Sequence, residues 1–470
     1  MANALVKKTG IYFIGNMAAK ATSALIIPIY AFFVSADNLG SYDYFITIAQ
    51  MLSPLCFLAI WESILRYVMR EEDMGRKNRL VSASVVFSVS AFLIITAIGI
   101  VASIIFPDLM ASILSVCLMS SFVGVAQVWQ YFARSFGKTK LYAISGVTSA
   151  LISFFGVLIF VCAMNMQLEG LVLSYVLSQL SIIFLIELKL HVLQLFSIRS
   201  AKAADLTALL RFSAPLAMNL LLLAFVTGFG RILITNTLGS DQNGLYTFAM
   251  KFGTILTSIG SIFAMAVVEE AILRIGKPDA DRFFQKVTSS TVYMLVGLGG
   301  FLLPCIYVFY QIISDTAYIS SLILTPIFLA YGMCTVLSTV VGCVFQTAQK
   351  TNVIALTSAL AAVVTTVLSA LLLPLTGIIG VSFGLFAGAF SMLLSRYFFG
   401  RKLIFYRLFS LKNTVLVLLY ILSSCCVIYN IVSQCQTLLP IWILLSCVIF
   451  VPSVVKGVQG LRSIPDTNKE

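Results

Sequence analysis

The chain has 470 residues, of which 60% are hydrophobic and only 10% charged, with a formal net charge of +12. A soluble domain carries about 25% charged residues, so a mean hydropathy of +1.04 excludes an ordinary soluble enzyme. The excess of positive charge does not call for nucleic acid, because its distribution along the chain has a simpler cause.

Apolar runs long enough to cross a bilayer core of about 30 Å recur from end to end. Only helices or closed barrels can span, and these runs are too long and too uniform for barrel strands, which alternate over about ten residues. The expected fold is therefore all-α, a polytopic membrane protein of about 14 transmembrane helices. The first run, 9–34, is longer than the apolar region of a signal peptide and has no convincing small-residue cleavage site, so it reads as the first span. The remaining spans are expected at 42–68, 80–106, 110–133, 141–165, 170–190, 212–237, 244–268, 287–310, 319–346, 353–375, 378–398, 413–431 and 438–455.

Turn signals separate these runs. SADNLG, FPDLM, QLEG, GSDQNG, QIISDTAY, PLTG and SQCQT fall on one side; REEDMGRKNR, RSFGKTK, HVLQLFSIRSAKAAD, RIGKPDADR, QKTN and FGRKLIFYRLFSLKN fall on the other. None of the 30 Lys and Arg residues lies in the first group. All but Lys20, Arg66, Arg231 and Lys251 lie in the second group, at its flanking helix ends or in the termini. Positive loops stay cytoplasmic, so both termini are expected inside. All the outer loops are short, which leaves no extramembrane domain, so function must reside within the bilayer or at its mouths. The ten cysteines lie almost entirely in apolar runs and His191 is the lone histidine. No metal-binding or disulfide spacing appears, and no cofactor is expected.

The chain repeats itself weakly. NLGSYDYF (38–45) resembles QNGLYTFA (242–249), and GKTKLYAISGVTSAL (137–151) resembles QKTNVIALTSALAAV (349–363). Both offsets span an even number of helices, so the copies share one orientation, the parallel repeat of two-lobed transporters. The expected organisation is an N-terminal lobe of helices 1–6 (1–200), a C-terminal lobe of helices 7–12 (201–412), and helices 13–14 with a cytoplasmic tail (413–470).

A charge at a helix centre costs at least about 2.5–3.5 kcal/mol on insertion scales, so intramembrane cations face water or a partner. Lys20 lies roughly 16–21 Å of helix from either end of its span, too deep to snorkel. Arg231 and Lys251 flank one short turn at matched depth, about 10 Å in. Arg66 has Glu62 four residues earlier, a favourable pairing order. The blander reading of Lys20, Arg231 and Lys251 is an ion pair to an acid on another helix, with Asp43, Glu62, Glu187 and the Glu269–Glu270 pair as the scarce candidates. The sharper reading is a cavity of cations that attracts a phosphate- or carboxylate-bearing substrate, Arg offering a planar fork and Lys a point charge. Lys20, Arg66, Arg231 and Lys251 are thus the candidate substrate-binding residues, and Asp43 and Glu62 the candidates for ion coupling. Asn16, Gln50, Gln127, Gln130, Asn219 and Asn236 either line the same cavity or bridge helices. Trp129, Tyr131 and Phe132 read as an interfacial aromatic belt, with sugar stacking as the alternative. Pro28, Pro54, Pro215 and Pro326 are candidate kinks.

The opening KKTGIYFIGNMAAKATSALIIPIYAFFVSADNLGSYDYF, with LLRFSAPLAMNLLL (209–222), GRILITNTLGSDQNGLYTFAMKF (230–252), GKTKLY (137–142) and GIIGVSFG (377–384), resembles the O-antigen/polysaccharide flippases. These form the polysaccharide-transporter branch of the multidrug/oligosaccharidyl-lipid/polysaccharide exporter superfamily. The resemblance implies a multi-pass protein of the bacterial inner membrane. It would move an undecaprenyl-diphosphate-linked oligosaccharide from the cytoplasmic to the periplasmic leaflet by alternating access, coupled to H⁺ or Na⁺, beside polysaccharide polymerase partners. Many members carry an Asp before the arginine of helix 7, whereas this chain has Gly230. The alternatives are a drug or organic-cation antiporter, which would place acids rather than bases deep in the lobes, and a peptidoglycan-precursor flippase. A further class, an O-antigen polymerase or ligase, would need a sizeable outer loop with reactive groups. No bond-making chemistry is expected, hence no enzyme.

Overall fold

Capping residues in the turns set where the helices begin. Ser35 closes the short apolar helix α1 (Ala24–Phe33) and caps α2 (Ala36–Cys56), its Oγ accepting from the Asn38 amide at 3.2 Å. Asp73 caps α4 (Met74–Ile105) by accepting from the amides of Gly75 and Arg76. Such oxygens satisfy amides that the first helical turn leaves without a partner. The computed structural model describes residues 22, 24–197, 201–274, 280–348, 350–403, 408, 410–433 and 439–462, with 261–274, 346–347, 351, 432 and 461–462 described by backbone alone.

Between α2 and α4 lies α3 (Ile60–Arg70), bent from α2 by 51°. Pro54 sits near the end of α2, but the turn itself is made by Leu58 and Ala59, both left-handed at φ 47° and 45°. Such a conformation costs an L-residue roughly 1–2 kcal/mol. It is held because the Ala59 amide finds the Pro54 carbonyl and the Ile60 amide that of Phe57, both at 3.0 Å, while Phe57, Ala59 and Ile60 are fully buried.

The remaining elements of this half are α5 (Met110–Ser135), α6 (Thr139–Gly156) with its π-helical continuation Val157–Ala163, α7 (Gln167–Leu190), the single turn α8 (Val192–Leu195) and α9 (Ala203–Leu238). Then come α10 (Ser240–Arg274), α11 (Ala280–Ile312), α12 (Thr325–Thr347), α13 (Thr351–Thr376), α14 (Ile378–Gly400), α15 (Leu411–Ser433) and α16 (Leu439–Arg462). Among the described residues eleven helices are long and apolar enough to cross a membrane, twelve if the bent pair α2–α3 is counted as one span. The places of the expected first and eighth spans are taken by α1 and α10. No strand occurs among the described residues. The chain is a polytopic all-α membrane protein.

The chain divides into two compact units, Met1–Gly244 and Leu245–Glu470. In the first, α2 and α3 lie between α5 and α9, with α4 and α7 packed on α5. Its core is apolar, built around Phe57, Trp61, Trp129, Phe132 and Ile186. Elsewhere burial runs opposite to that of a soluble protein. On α4 the serines 82, 84 and 88 are fully buried while Leu93, Ile94 and Ile98 are exposed, as lipid requires: small residues let helices approach and large ones face acyl chains. Several buried serines spend their hydroxyls on their own helices, Ser84 on the Leu80 carbonyl, Ser88 on Ser84, Ser120 on Val116 and Ser174 on Gly170, at 2.6–2.8 Å, while those of Ser53, Ser121 and Ser213 have no partner among the described residues.

In the second unit α13 pairs with α14, α12 with α14, and α11 with α15 and α16. The last two helices are well seated. Trp442 packs edge-on to Tyr307 and donates to Ser423 Oγ at 3.0 Å, while Tyr420 donates to the Pro326 carbonyl at 2.8 Å.

Candidate functional site

Arg231 lies two turns before the end of α9. Its backbone approaches α2 closely because Gly228, one turn earlier, has no side chain; a Cβ there would collide with the Thr47 methyl. The approach is fixed further out by the turn into α10. Asn243 Nδ2 donates to the Gly40 carbonyl at 2.8 Å, Ser240 Oγ donates to Asp37 Oδ1 at 2.6 Å, and Gly244 rests against the Ala36 carbonyl. Gly40 and Gly244 are matched positions of the sequence repeat, and they face each other.

This register brings the guanidinium of Arg231 to Asp43. Nε stands 3.2 Å from Asp43 Oδ2, and Nη1 donates to Thr47 Oγ1 at 3.3 Å. Thr47 Oγ1 in turn donates to the Asp43 carbonyl at 2.8 Å. The contact between Arg231 and Asp43 is an ion pair. Asp43 is only 8% exposed. The phenols of Tyr30 on α1 and Tyr42 on α2 are close enough to feel its charge, and Tyr42 packs edge-on to Tyr175 of α7 at 6.5 Å. Of the two readings open for Arg231, the ion pair to an acid on another helix is the one that forms, with Asp43 as the acid. The counter-charge of Arg231 comes from α2, and no spacing along α9 or α10 reveals it.

Of the other three cations, Lys20 lies outside the described residues, as does Asn16. Lys251 is half-buried on α10 and engaged with a partner. Arg66 is exposed on α3, its guanidinium 4.3 Å from the ring centre of Phe212 on α9. The expected pairing with Glu62 does not form. Glu62 Oε1 instead accepts from Tyr131 of α5 at 2.7 Å. Because α3 lies between α5 and α9, residues one turn apart diverge to neighbours on either side.

The aromatic belt is likewise corrected. Trp129 and Phe132 are buried in the core, and Trp129 Nε1 donates to Glu187 Oε2 at 3.0 Å, whose other oxygen accepts the Leu193 amide at 2.9 Å. Among the candidate amides, Gln50, Asn219 and Asn236 are exposed and Gln127 and Gln130 half-buried. None is among the side-chain hydrogen bonds of the described residues, so helix bridging is not their role there.

One buried cation escaped the sequence reading. Arg396, grouped with the basic helix ends, is 7% exposed among α12, α13 and α14. The signal available was the absence of any Asp or Glu between Asp315 and Asp466. No group of three or more His, Cys, Asp or Glu among the described residues is arranged to hold a metal.

The model of a family described as polysaccharide biosynthesis protein matches residues 5–268, more than half of the chain. No curated relative matches in sequence. Among solved structures, the lipid II flippase MurJ in an inward closed conformation is similar in fold, with TM-score 0.66 and 15% identity over 97% of this chain and 100% of that one. The Vibrio cholerae MATE transporter VcmN is similar at TM-score 0.53 and 13% identity, over 85% and 96%. A MATE in complex with MaL6 is similar at 0.56 and 13%, over 88% and 96%. At these identities the likeness is one of fold alone.

Proposed function

This chain belongs to the polysaccharide biosynthesis protein family, and from that premise we propose that it is a flippase of the multidrug/oligosaccharidyl-lipid/polysaccharide exporter superfamily that moves a polyprenyl-diphosphate-linked oligosaccharide from the cytoplasmic to the periplasmic leaflet of a bacterial inner membrane. The observation that carries the reading is the Arg231–Asp43 pair on α9 and α2. A guanidinium is a planar fork of N–H donors whose geometry suits phosphate as well as carboxylate. A diphosphate carries more negative charge than a carboxylate and can engage that fork bidentately, so it competes for Arg231. Lys20, Lys251 and Arg66 are proposed to assist, with Gln50, Gln127, Gln130, Asn219 and Asn16 meeting sugar hydroxyls.

Electroneutrality then suggests the coupling. When the headgroup takes Arg231, Asp43 is left buried beside Tyr30 and Tyr42 without its counter-ion. A buried, unpaired carboxylate is expensive, so it takes up H⁺ or Na⁺ until Arg231 returns. The cycle is exchange of partners at one arginine; no covalent bond changes and no enzyme chemistry is invoked. Polymerases of the same polysaccharide would act on the product.

The test is translocation of a lipid-linked oligosaccharide in proteoliposomes, or display of the surface polysaccharide in cells. Arg231→Ala and Lys251→Ala, each accumulating normally, are expected to lose it. Wild-type translocation by both would overturn the reading. Translocation of the peptidoglycan precursor in place of the oligosaccharide would reassign the cargo.

A further inference from the structure

The second unit buries a cation that no carboxylate among the described residues pairs with. α12, α13 and α14 contain no Asp or Glu, and none occurs anywhere from 316 to 465. Arg396 lies four residues before the end of α14, with Arg401 and Lys402 just beyond. From that position an arginine can snorkel to water. It turns inward instead and is 7% exposed. Its Nε donates to Thr357 Oγ1 at 3.2 Å, Nη1 to the Ser338 carbonyl at 2.9 Å, and Nη2 to Ser358 Oγ at 3.0 Å. All three acceptors are neutral. Guanidinium has five N–H donors, so two remain, and no carboxylate among the described residues lies within ion-pair reach of it.

The surrounding hydroxyls sharpen the imbalance. Thr357 spends its own hydrogen on the Val353 carbonyl at 2.8 Å, and Ser358 points its hydrogen at Met392 Sδ at 3.9 Å. Ser338 is different. It is fully buried, and its Oγ has no hydrogen-bond partner. A serine inside a helix can bond the carbonyl one turn back, as Ser84 and Ser88 do here; Ser338 does not. This orphan hydroxyl belongs to the residue whose carbonyl receives Arg396. One turn on, Gly342 leaves the guanidinium room, a Cβ there standing 3.1 Å from Nη1. The cluster thus holds one full positive charge and a surplus of donors. Burying a cation unpaired is costly, and an orphan buried hydroxyl adds to that cost.

We propose that this cluster binds a small monovalent inorganic anion, chloride in the cell, seated between the Arg396 guanidinium and the Ser338 hydroxyl. One negative charge neutralises the arginine. A phosphate dianion would leave the buried site net negative, and a lipid headgroup would need a wider opening than a 7%-exposed residue provides. The anion ties α12, α13 and α14 together as a resident counter-ion. It is independent of Arg231 and of the cargo proposed above.

The test uses the purified full chain in detergent. Its melting midpoint is followed in sodium chloride and in sodium gluconate at equal ionic strength, beside equilibrium binding of radiolabelled chloride. Wild type should show a saturable, chloride-specific rise in midpoint, since a ligand that binds only the folded state stabilises it by mass action. Arg231→Ala should keep that rise. Ser338→Ala should weaken chloride binding by about tenfold or more, the loss of one hydrogen bond to a charged group. Arg396→Gln should melt alike in both salts; if it does not accumulate, Ser338→Ala, which keeps the charge, decides alone. The proposal is overturned if wild type shows no chloride-specific rise, if the rise is unchanged in Ser338→Ala, or if it vanishes in Arg231→Ala.

Discussion

Removing the charge of Arg231 and removing that of Asp43 should do opposite things to a negatively charged headgroup. Arg231→Ala deletes the fork, and loss of one charge-assisted contact weakens headgroup binding by about 10- to 100-fold. Arg231→Lys keeps the charge without the bidentate geometry and should fall between. Asp43→Asn removes the competitor, so the headgroup should bind more tightly. The sign follows from the partner exchange: Asp43 and the headgroup compete for one guanidinium, so removing the carboxylate's charge should raise headgroup affinity in an equilibrium binding measurement. Tyr131→Phe is a control away from this pair. It leaves Glu62 without its 2.7 Å donor and should lower stability by about 1.5–3 kcal/mol, read as a drop in melting midpoint. Scarcity of acids was enough to name Asp43 as a candidate partner from sequence, but the pairing itself depends on how α2 meets α9. Arg396 was missed because its neighbours Arg401 and Lys402 give it the signature of a snorkelling helix end; the direction in which a side chain turns is set by Thr357, Ser358 and Ser338 on two other helices.

At the scale of elements, the α2–α3 break shows what local sequence can and cannot specify. Pro54 marks a place where the helical ladder is weakened, yet the change of direction falls at Leu58 and Ala59, which carry no turn signature. Left-handed backbone there is imposed by packing of the fully buried Phe57, Ala59 and Ile60. Glycine adopts this conformation without steric cost, so Ala59→Gly should raise the melting midpoint modestly, a gain of up to about 1 kcal/mol. If the transport cycle straightens this span, the same variant should turn over more slowly than wild type in the flipping assay. Gly228→Leu should act in the other direction. Its side chain would wedge α9 away from Thr47, separating Arg231 from Asp43, and the variant should lose both stability and headgroup binding. Helix positions and caps such as Ser35 and Asp73 were legible because turn chemistry is local; the glycine seams were not, because a glycine inside an apolar run looks the same whether it faces lipid or a neighbouring backbone.

At the scale of the whole molecule, the charge asymmetry of the loops makes a prediction independent of any site. In a background with the ten native cysteines replaced, single cysteines placed in SADNLG or GSDQNG should react with an impermeant thiol reagent from the periplasmic side. Those placed in GKTK or QKTN should not. The last two helices lie outside the sequence repeat, yet they are packed on α11 through Tyr307–Trp442 and hold Pro326 through Tyr420, so a chain ending at residue 412 should fail to accumulate as a monodisperse protein. One further consequence concerns motion inside the first unit. Several of its buried serines, Ser84, Ser88, Ser120 and Ser174 among them, bond within their own helices and so place no directed bond across the seams between neighbouring spans. Surfaces of that kind adhere by contact area alone, which varies little as one rod creeps along another. The wall of such a transporter behaves as a set of lubricated staves, and the resistance to its rocking is concentrated in a handful of polar rivets, of which Arg231 with Asp43 is one.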